Sequence, residues 1–421
     1  MKKLFVLIFA ALLVAAFTTP AMAKFNIGCV IATDFYYLKS DAEHKAGGVV
    51  TAPVAAIPGD DNYSQTHIQI PGWSRPNITW TNEKDVRARI EFGVGDQGAG
   101  QLISGAGGTT GGATLRHAYG EWDVTPGFTL MAGWSTTPFS PLDPTQTLGT
   151  SAPNFIPPFL GLGHIIGIGF GNFYSGRFPQ VRGTWKFSDQ MKFEMALVDP
   201  AVTATPFAAA AGKVSDNESK MPRIDASADL YFGPLKLYPS IFWHKQIYDN
   251  VTAGSDNEIT SYGYSLGLRF NIGPVDFASE IQTGQNWSNT RGTLPSMWDT
   301  SGTIIGATTR VSPTGQVLDS DDLGWWVDVS FKLGMVTPHL LYGMSRTDND
   351  GVPGIADDFE VNTKMYGIHV VIPVAKTFMI RPEFMIYDYG DDNQVGVAAP
   401  VGSTVDFGKQ TILGVQFMVV F

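Results

Sequence analysis

The sequence predicts an all-β chain, folded as one transmembrane antiparallel β-barrel of about 16 strands. Three observations predict it. An export leader opens the chain. Apolar and polar residues alternate in strand-length runs. Short and long connections take turns along its whole length.

The leader comes first. Lys2 and Lys3 precede an apolar run from Leu4 to Phe17, which is too short to span a bilayer comfortably. Ala21-Met22-Ala23 then supplies small residues at the cleavage-recognition positions. Residues 1–23 read as a secretory signal peptide, with residues 24–421 as one barrel domain. A lipid anchor on Cys29 fits poorly, because Cys29 lies well past the apolar run and Asn26 stands where an aliphatic residue is needed.

Composition narrows the class. Removing residues 1–23 takes away Lys2 and Lys3 and no acid, so the net charge moves from −11 to −13. That balance argues against nucleic acid as a partner. A single cysteine excludes an intrachain disulfide and a Cys-built zinc or iron–sulfur site. Hydrophobic residues make up 44% of the chain and charged residues 16%, yet no apolar stretch after the leader reaches about 18 residues. A membrane barrel reconciles the two, since its apolar face is spread over alternating positions.

The strands carry that alternation. Tyr262, Tyr264, Leu266, Leu268, Phe270 and Ile272 interleave with Ser261, Gly263, Ser265, Gly267, Arg269 and Asn271. Trp325, Val327, Val329 and Phe331 interleave with Trp326, Asp328, Ser330 and Lys332. In the last strand, Leu413, Val415, Phe417, Val419 and Phe421 share one face; Gln410, Gly414 and Gln416 share the other, together with Ile412 and Met418.

Connections fix the orientation. Short turns read at Asn82–Asp85, 125–127, 188–189, 233–234, 273–274, Gly334 and Pro373–Lys376. Between them lie long Gly-, Asp- and Thr-rich segments at 39–63, 96–113, 137–176, 200–220, 249–258, 288–321, 347–359 and 391–405. The second strand, about 64–81, carries Pro71 and Pro76 and is the least regular. Aromatic residues gather at both strand ends, as interfacial belts require: Trp134, Trp243 and Trp325 on the loop side, Phe128, Trp185 and Phe421 on the turn side.

Alternation points Arg87, Arg89, Arg116, Arg182, Arg223, Arg269, Lys332 and Arg381 into the lumen, with Glu91, Asp225, Asp229, Asp276, Glu280, Asp328 and Glu383. Charge on the lipid face costs about 2–4 kcal/mol for Arg or Lys at mid-membrane, which favours this assignment. Singly, such residues serve as neutralising wall pairs. As a cluster, Arg87, Arg89, Arg116 and Arg182 are expected to set ion selectivity.

Two enzyme-like motifs dissolve in context. Gly263-Tyr264-Ser265-Leu266-Gly267 lies mid-strand and lacks the strand–turn–helix elbow of a nucleophile. Gly93-Val94-Gly95-Asp96-Gln97-Gly98 is followed by more glycine and no helix, so a dinucleotide site is not expected. The seven histidines show no paired zinc spacing. Neither catalysis, a cofactor nor a metal is expected.

Arg116-His117-Ala118-Tyr119, Gly127 to Gly133, Thr137-Pro138-Phe139, Arg87 to Phe92 and the terminal Phe421 together resemble the trimeric outer-membrane porins of Gram-negative bacteria. The chain most resembles the homotrimeric porins of sulfate-reducing and related bacteria. The motifs cover roughly residues 64–140 and the C-terminus. The resemblance implies passive diffusion of small hydrophilic solutes and ions through a water-filled lumen, narrowed by an inward-folded third loop. It also implies a homotrimer in the outer membrane, in contact with lipid and lipopolysaccharide, and assembly by the barrel-assembly machinery through the strand ending at Phe421.

The third loop here is 137–176, and Asp143, Phe155, Phe159 and His164 are its candidate constriction residues. It departs from the family pattern. Its only ionisable side chains are Asp143, His164 and Tyr174, where the family presents several acids opposite a basic wall. Such an apolar loop could pack against the lumen wall or help hold a trimer. Three other functions stay open: a channel selective for phosphate, sugar or another small anion; a barrel enzyme; and a structural or adhesive barrel with a blocked lumen.

Overall fold

A computed structural model describes residues 24–41, 62–95 without 72, 83 and 84, 112–148, 165–199 without 175, 216–217, 221–287 without 255, 297–298, 304–305, 310–311, 317–350, 358–388, 391–392, 405–406 and 409–421. Residues 1–23 and loop positions Phe155, Phe159 and His164 lie outside the described residues.

Among the described residues, 16 antiparallel strands close into a barrel. They are β1 (Lys24–Asp41), β2 (in two pieces, Asn62–Gln69 and Arg75–Thr81), β3 (Val86–Gly95), β4 (Gly112–Thr125), β5 (Phe128–Thr136), β6 (Arg177–Lys186), β7 (Met191–Val198) and β8 (Arg223–Phe232). Then follow β9 (Leu235–Asp249), β10 (Glu258–Ile272), β11 (Val275–Gln285), β12 (Ser320–Phe331), β13 (Thr337–Asp350), β14 (Asp358–Ala375), β15 (Phe378–Asp388) and β16 (Lys409–Val420).

Each strand pairs with its neighbour in sequence, and β16 closes the ring on β1 in the register Val30↔Val420 to Ser40↔Gln410. Closure satisfies the backbone donors and acceptors that a free sheet edge would leave unpaired. The irregularity expected of the second strand is real. Pro71 has no N–H to give, and pairing with β1 breaks between Gln69 and Arg75. There the Ser74 hydroxyl takes over, accepting the Ala32 N–H at 3.0 Å.

The turns fall where Gly, Pro and Asn placed them, with one shift. β14 runs on to Ala375, past Pro373, and a bulge between Pro373 and Ala375 absorbs the missing donor. The faces also separate as the alternation predicts. In β10, Tyr264 points outward at 55% exposure while Ser265 points inward at 7%.

The interior is not uniformly polar. Tyr36, Leu38, Trp326, Leu341, Met365, Met385, Tyr387 and Ile412 all face inward and are buried. Leu142, Leu148 and Phe170, from the connection after β5, cover them. The barrel therefore contains a second, internal core made between wall and loop. Burying apolar surface contributes roughly 25 cal/mol per Å², so this core holds the loop to the wall.

Candidate functional site

The described parts of the third loop, 137–148 and 165–174, lie flat along the lumen wall from β8 to β16 and back. Polar wall groups receive the outgoing arm in order. Arg223 on β8 donates to Thr137 Oγ1 at 3.3 Å. Ser240 on β9 accepts the Ser140 N–H at 3.1 Å, and the Ser140 hydroxyl donates to Glu280 on β11 at 3.2 Å. Thr145 donates to Asp328 on β12, and Arg381 on β15 donates to the Thr145 carbonyl. Glu383 accepts the N–H groups of Thr147 and Leu148, both at 3.0 Å, and Thr147 donates to Gln416 on β16 at 3.2 Å.

The returning arm is held the same way. Gly169 accepts from Thr363 at 2.5 Å, Gly171 donates to Ser345 at 2.6 Å, and Phe173 donates to Gln282 at 2.6 Å. Asn172 ties the arms together by donating to Asp143 at 2.8 Å. Phe139 and Phe173 meet Phe242 and Trp287 in an aromatic cluster with ring centroids 4.8 to 5.1 Å apart.

Glycine on the wall makes the close approach feasible. A Cβ on Gly343 would collide with the Phe170 carbonyl oxygen, and one on Gly324 would press into the Phe173 ring. On the loop side, Gly171 has φ 110° and lies against Trp325 and Gly343 backbone, a conformation and a gap that suit only glycine.

The opposite stretch of wall is basic. Glu91 on β3, 1% exposed, is ringed by arginines from three strands. Arg116 lies 3.0 Å away, Arg75 lies 3.8 Å away, and Arg89 donates to its other oxygen. Arg177 adds its charge to that of Arg116 and Arg75, and its guanidinium sits 5.5 Å over the Tyr174 ring. One carboxylate thus contacts three guanidinium groups, with the charge of Arg177 added beside them.

The predicted residues divide accordingly. Of the expected cluster, Arg89 and Arg116 belong to the group around Glu91. Arg182 donates to the Thr136 carbonyl at 3.4 Å. Arg87 stands apart, bonded to Asp123 at 2.9 Å and Glu121 at 3.2 Å, so its charge is locally balanced. Arg223 and Asp225 form a buried pair at 2.7 Å, with the guanidinium between Phe178 and Phe242. Asp229 pairs with Lys192 at 2.8 Å, and Lys332 pairs with Asp276 at 2.6 Å near the turn end. Arg269 is exposed and lines a cavity of about 310 Å³ with Asp143, Lys236, Asp328 and His339.

Sequence reasoning missed Arg75 and Arg177. Arg75 shares the inward face with Asn77 and Thr79 opposite Ile78 and Trp80, a pattern that the prolines obscured. Arg177 is the first residue past the loop. The serine of the nucleophile-like motif, Ser265, donates to Glu280 at 2.6 Å, so its proton goes to a wall acid and not to a histidine base.

On the loop, burial raises the pKa of Asp143, opposed by the Asn172 bond and the charge of Arg177. Burial likewise raises Tyr174, again against Arg177. Among the described residues, Asp328, His339 and His369 have metal-ligand spacing. The Thr145 hydroxyl already fills the space between them, and Arg381 directs an N–H at His369 Nδ1. A metal on Nε2 would put a proton on Nδ1 against that donor, so the trio suits a hydrogen-bonded anchor better than a cation.

No family model matches the chain, and no curated protein matches it. Solved structures do match. The outer membrane channel DcaP of Acinetobacter baumannii superposes with TM-score 0.60 at 13% identity, over 96% of this chain and 99% of that one. An anion-selective porin from Comamonas acidovorans gives 0.53 at 12% identity, over 95% and 100%. Salmonella typhi OmpF, in a complex with daunomycin, gives 0.52 at 8% identity, over 94% and 98%. At such identities the likeness is one of fold.

Proposed function

We propose that the chain is an outer-membrane channel of a Gram-negative bacterium, through which small hydrophilic solutes and ions diffuse, anions more readily than cations. In this reading residues 1–23 are the export leader and residues 24–421 form the channel. The outward apolar belt meets lipid, lipopolysaccharide and neighbouring copies in a homotrimer. The barrel-assembly machinery takes up the strand ending at Phe421.

One observation carries the anion preference. Arg75, Arg89 and Arg116 share a single carboxylate, Glu91, and Arg177 adds its charge to that group. The acids on the other side, Glu280, Asp328 and Glu383, are engaged by loop groups. The loop brings only Asp143 as a charged side chain to the described lumen. A net positive wall in a narrow, low-dielectric passage concentrates anions and repels cations. The Comamonas neighbour's anion selectivity agrees with this, as do the porin-like motifs.

The test is a planar bilayer under a salt gradient, with liposome swelling in small sugars beside it. A reversal potential of anion-selective sign and swelling in sugars are expected. Absence of swelling would point to a blocked barrel. A cation-selective sign would remove the arginine wall from its role. The four converging guanidinium groups also favour a second reading, a channel with a saturable site for one small anion. Conductance that saturates with that anion would distinguish it.

A further inference from the structure

Thr145 sits where four wall strands meet. Its hydroxyl donates to Asp328, lies 2.7 Å from His369 Nε2 and 3.3 Å from His339 Nδ1. Its carbonyl accepts from Arg381. The Arg381 guanidinium also flanks the His369 ring, with Nε donating to Nδ1 at 3.3 Å and Nη2 lying 3.1 Å from Nε2. His339 stacks on His369 with centroids 4.2 Å apart, and its Nδ1 lies 2.9 Å from Asp328.

One assignment of protons satisfies the contacts of Thr145, Asp328 and His339 together. Arg381 donates to His369 Nδ1, so that nitrogen carries a lone pair. The His369 proton is then on Nε2 and goes to Thr145 Oγ1. The Thr145 proton goes to one oxygen of Asp328, and the His339 Nδ1 proton goes to the other. His369 is neutral in this arrangement. A second proton could enter only at Nδ1, where it would meet the Arg381 N–H, one cation against another.

We propose that His369, Arg381 and Thr145 form a proton-released latch that holds the loop arm 137–148 against the lumen wall. When acid protonates His369, imidazolium and guanidinium repel. Arg381 then leaves the Thr145 carbonyl and swings toward Glu383 and Asp34, the carboxylates beside it. The arm loses its central anchor and comes off the wall into the lumen.

Glu383 and Asp328 hold the same arm through their carboxylates, and a response that came from their protonation would survive in His369→Gln. His339 is paired with Asp328, so its protonation turns that bond into a charge-assisted one and tightens it. Thr145 does not titrate. From its own strand, Met365 and Thr363 approach the loop, and neither is ionisable.

The effect on conduction rests on the channel reading above; the latch itself does not. The purified barrel is therefore followed by backbone hydrogen exchange at Thr147 and Leu148, corrected for intrinsic rates, at about pH 7.5 and about pH 4.5. Protection in the natural chain is expected to fall by about 10-fold or more in acid. His369→Gln supplies a neutral N–H donor and takes no proton, so it should keep its protection at both values. His339→Gln should respond as the natural chain does. If His369→Gln does not form a barrel, Arg381→Gln removes the repelling charge and should likewise lose the acid response.

Protection that is unchanged by pH in the natural chain overturns the latch, and so does an acid response that survives in His369→Gln or Arg381→Gln. In bilayers, acid should replace steady conductance by closures, and His369→Gln should prevent them. A barrel that never conducts but still shows the exchange response overturns the channel reading and leaves the latch in place.

Discussion

The carboxylate of Glu383 accepts the backbone N–H of Leu148 at 3.0 Å, joining a buried wall acid to the outgoing loop arm. The same carboxylate accepts from Thr147. An acid on a wall strand therefore does the work of a loop cap, and it is not free to face the passage. Hydrogen bonds to a charged group contribute about 1.5–3 kcal/mol each. Glu383→Ala should release both donors and lower exchange protection at Thr147 and Leu148 by about 30-fold, or about 2 kcal/mol. The barrel should persist, because no strand–strand pairing involves that side chain. Unchanged protection would show that the internal apolar core alone holds the arm.

Gly343 tests the opposite contact. Its missing side chain is what lets the Phe170 carbonyl reach β13. Gly343→Leu should push the returning arm away at a cost of about 1–3 kcal/mol of overpacking. Displacement into the lumen should lower single-channel conductance, while Gly120→Leu, whose Cβ would meet nothing closer than 3.8 Å, should leave conductance unchanged.

These contacts mark the limit of what the sequence could reveal. Strand number and the two faces of each strand were legible because a period of two leaves a visible trace, as Tyr264 and Ser265 show. The loop's path was not, because an apolar loop has several apolar surfaces to choose from. A signal did exist. Trp326 and Ile412 break the polar inward pattern, and both lie under the loop. Apolar residues on an inward face mark where something covers them. The basic wall was half legible. Arg89 and Arg116 were expected on it, whereas the local balance of Arg87 depends on the cross-strand positions of Glu121 and Asp123.

That difference predicts unequal effects from similar substitutions. Replacing Arg75, Arg116 and Arg177 by glutamine should shift the reversal potential toward cations, because each change removes a charge from a basic group that Glu91 and the loop acid Asp143 together do not balance. Arg87→Gln should move it much less, since Asp123 and Glu121 already offset that side chain. An equal shift from Arg87→Gln would mean that selectivity follows total lumen charge and not the cluster.

Glu91 places stability and selectivity in opposition. It is 1% exposed and is the shared partner of Arg75, Arg89 and Arg116. Taking away its charge leaves guanidinium groups facing one another across a few ångströms, and breaking a buried pair costs about 3–5 kcal/mol. Glu91→Gln should therefore lower the temperature at which the barrel unfolds, read from heat-modifiable migration. It should also raise anion preference, because one negative charge has left a basic wall. Adding salt should recover part of the lost stability, since mobile anions screen the exposed arginines. If stability falls and selectivity does not change, the cluster only holds the wall together, and the passage is biased elsewhere. If selectivity rises with no loss of stability, the arginines are already dispersed by water and Glu91 does not bind them as a group.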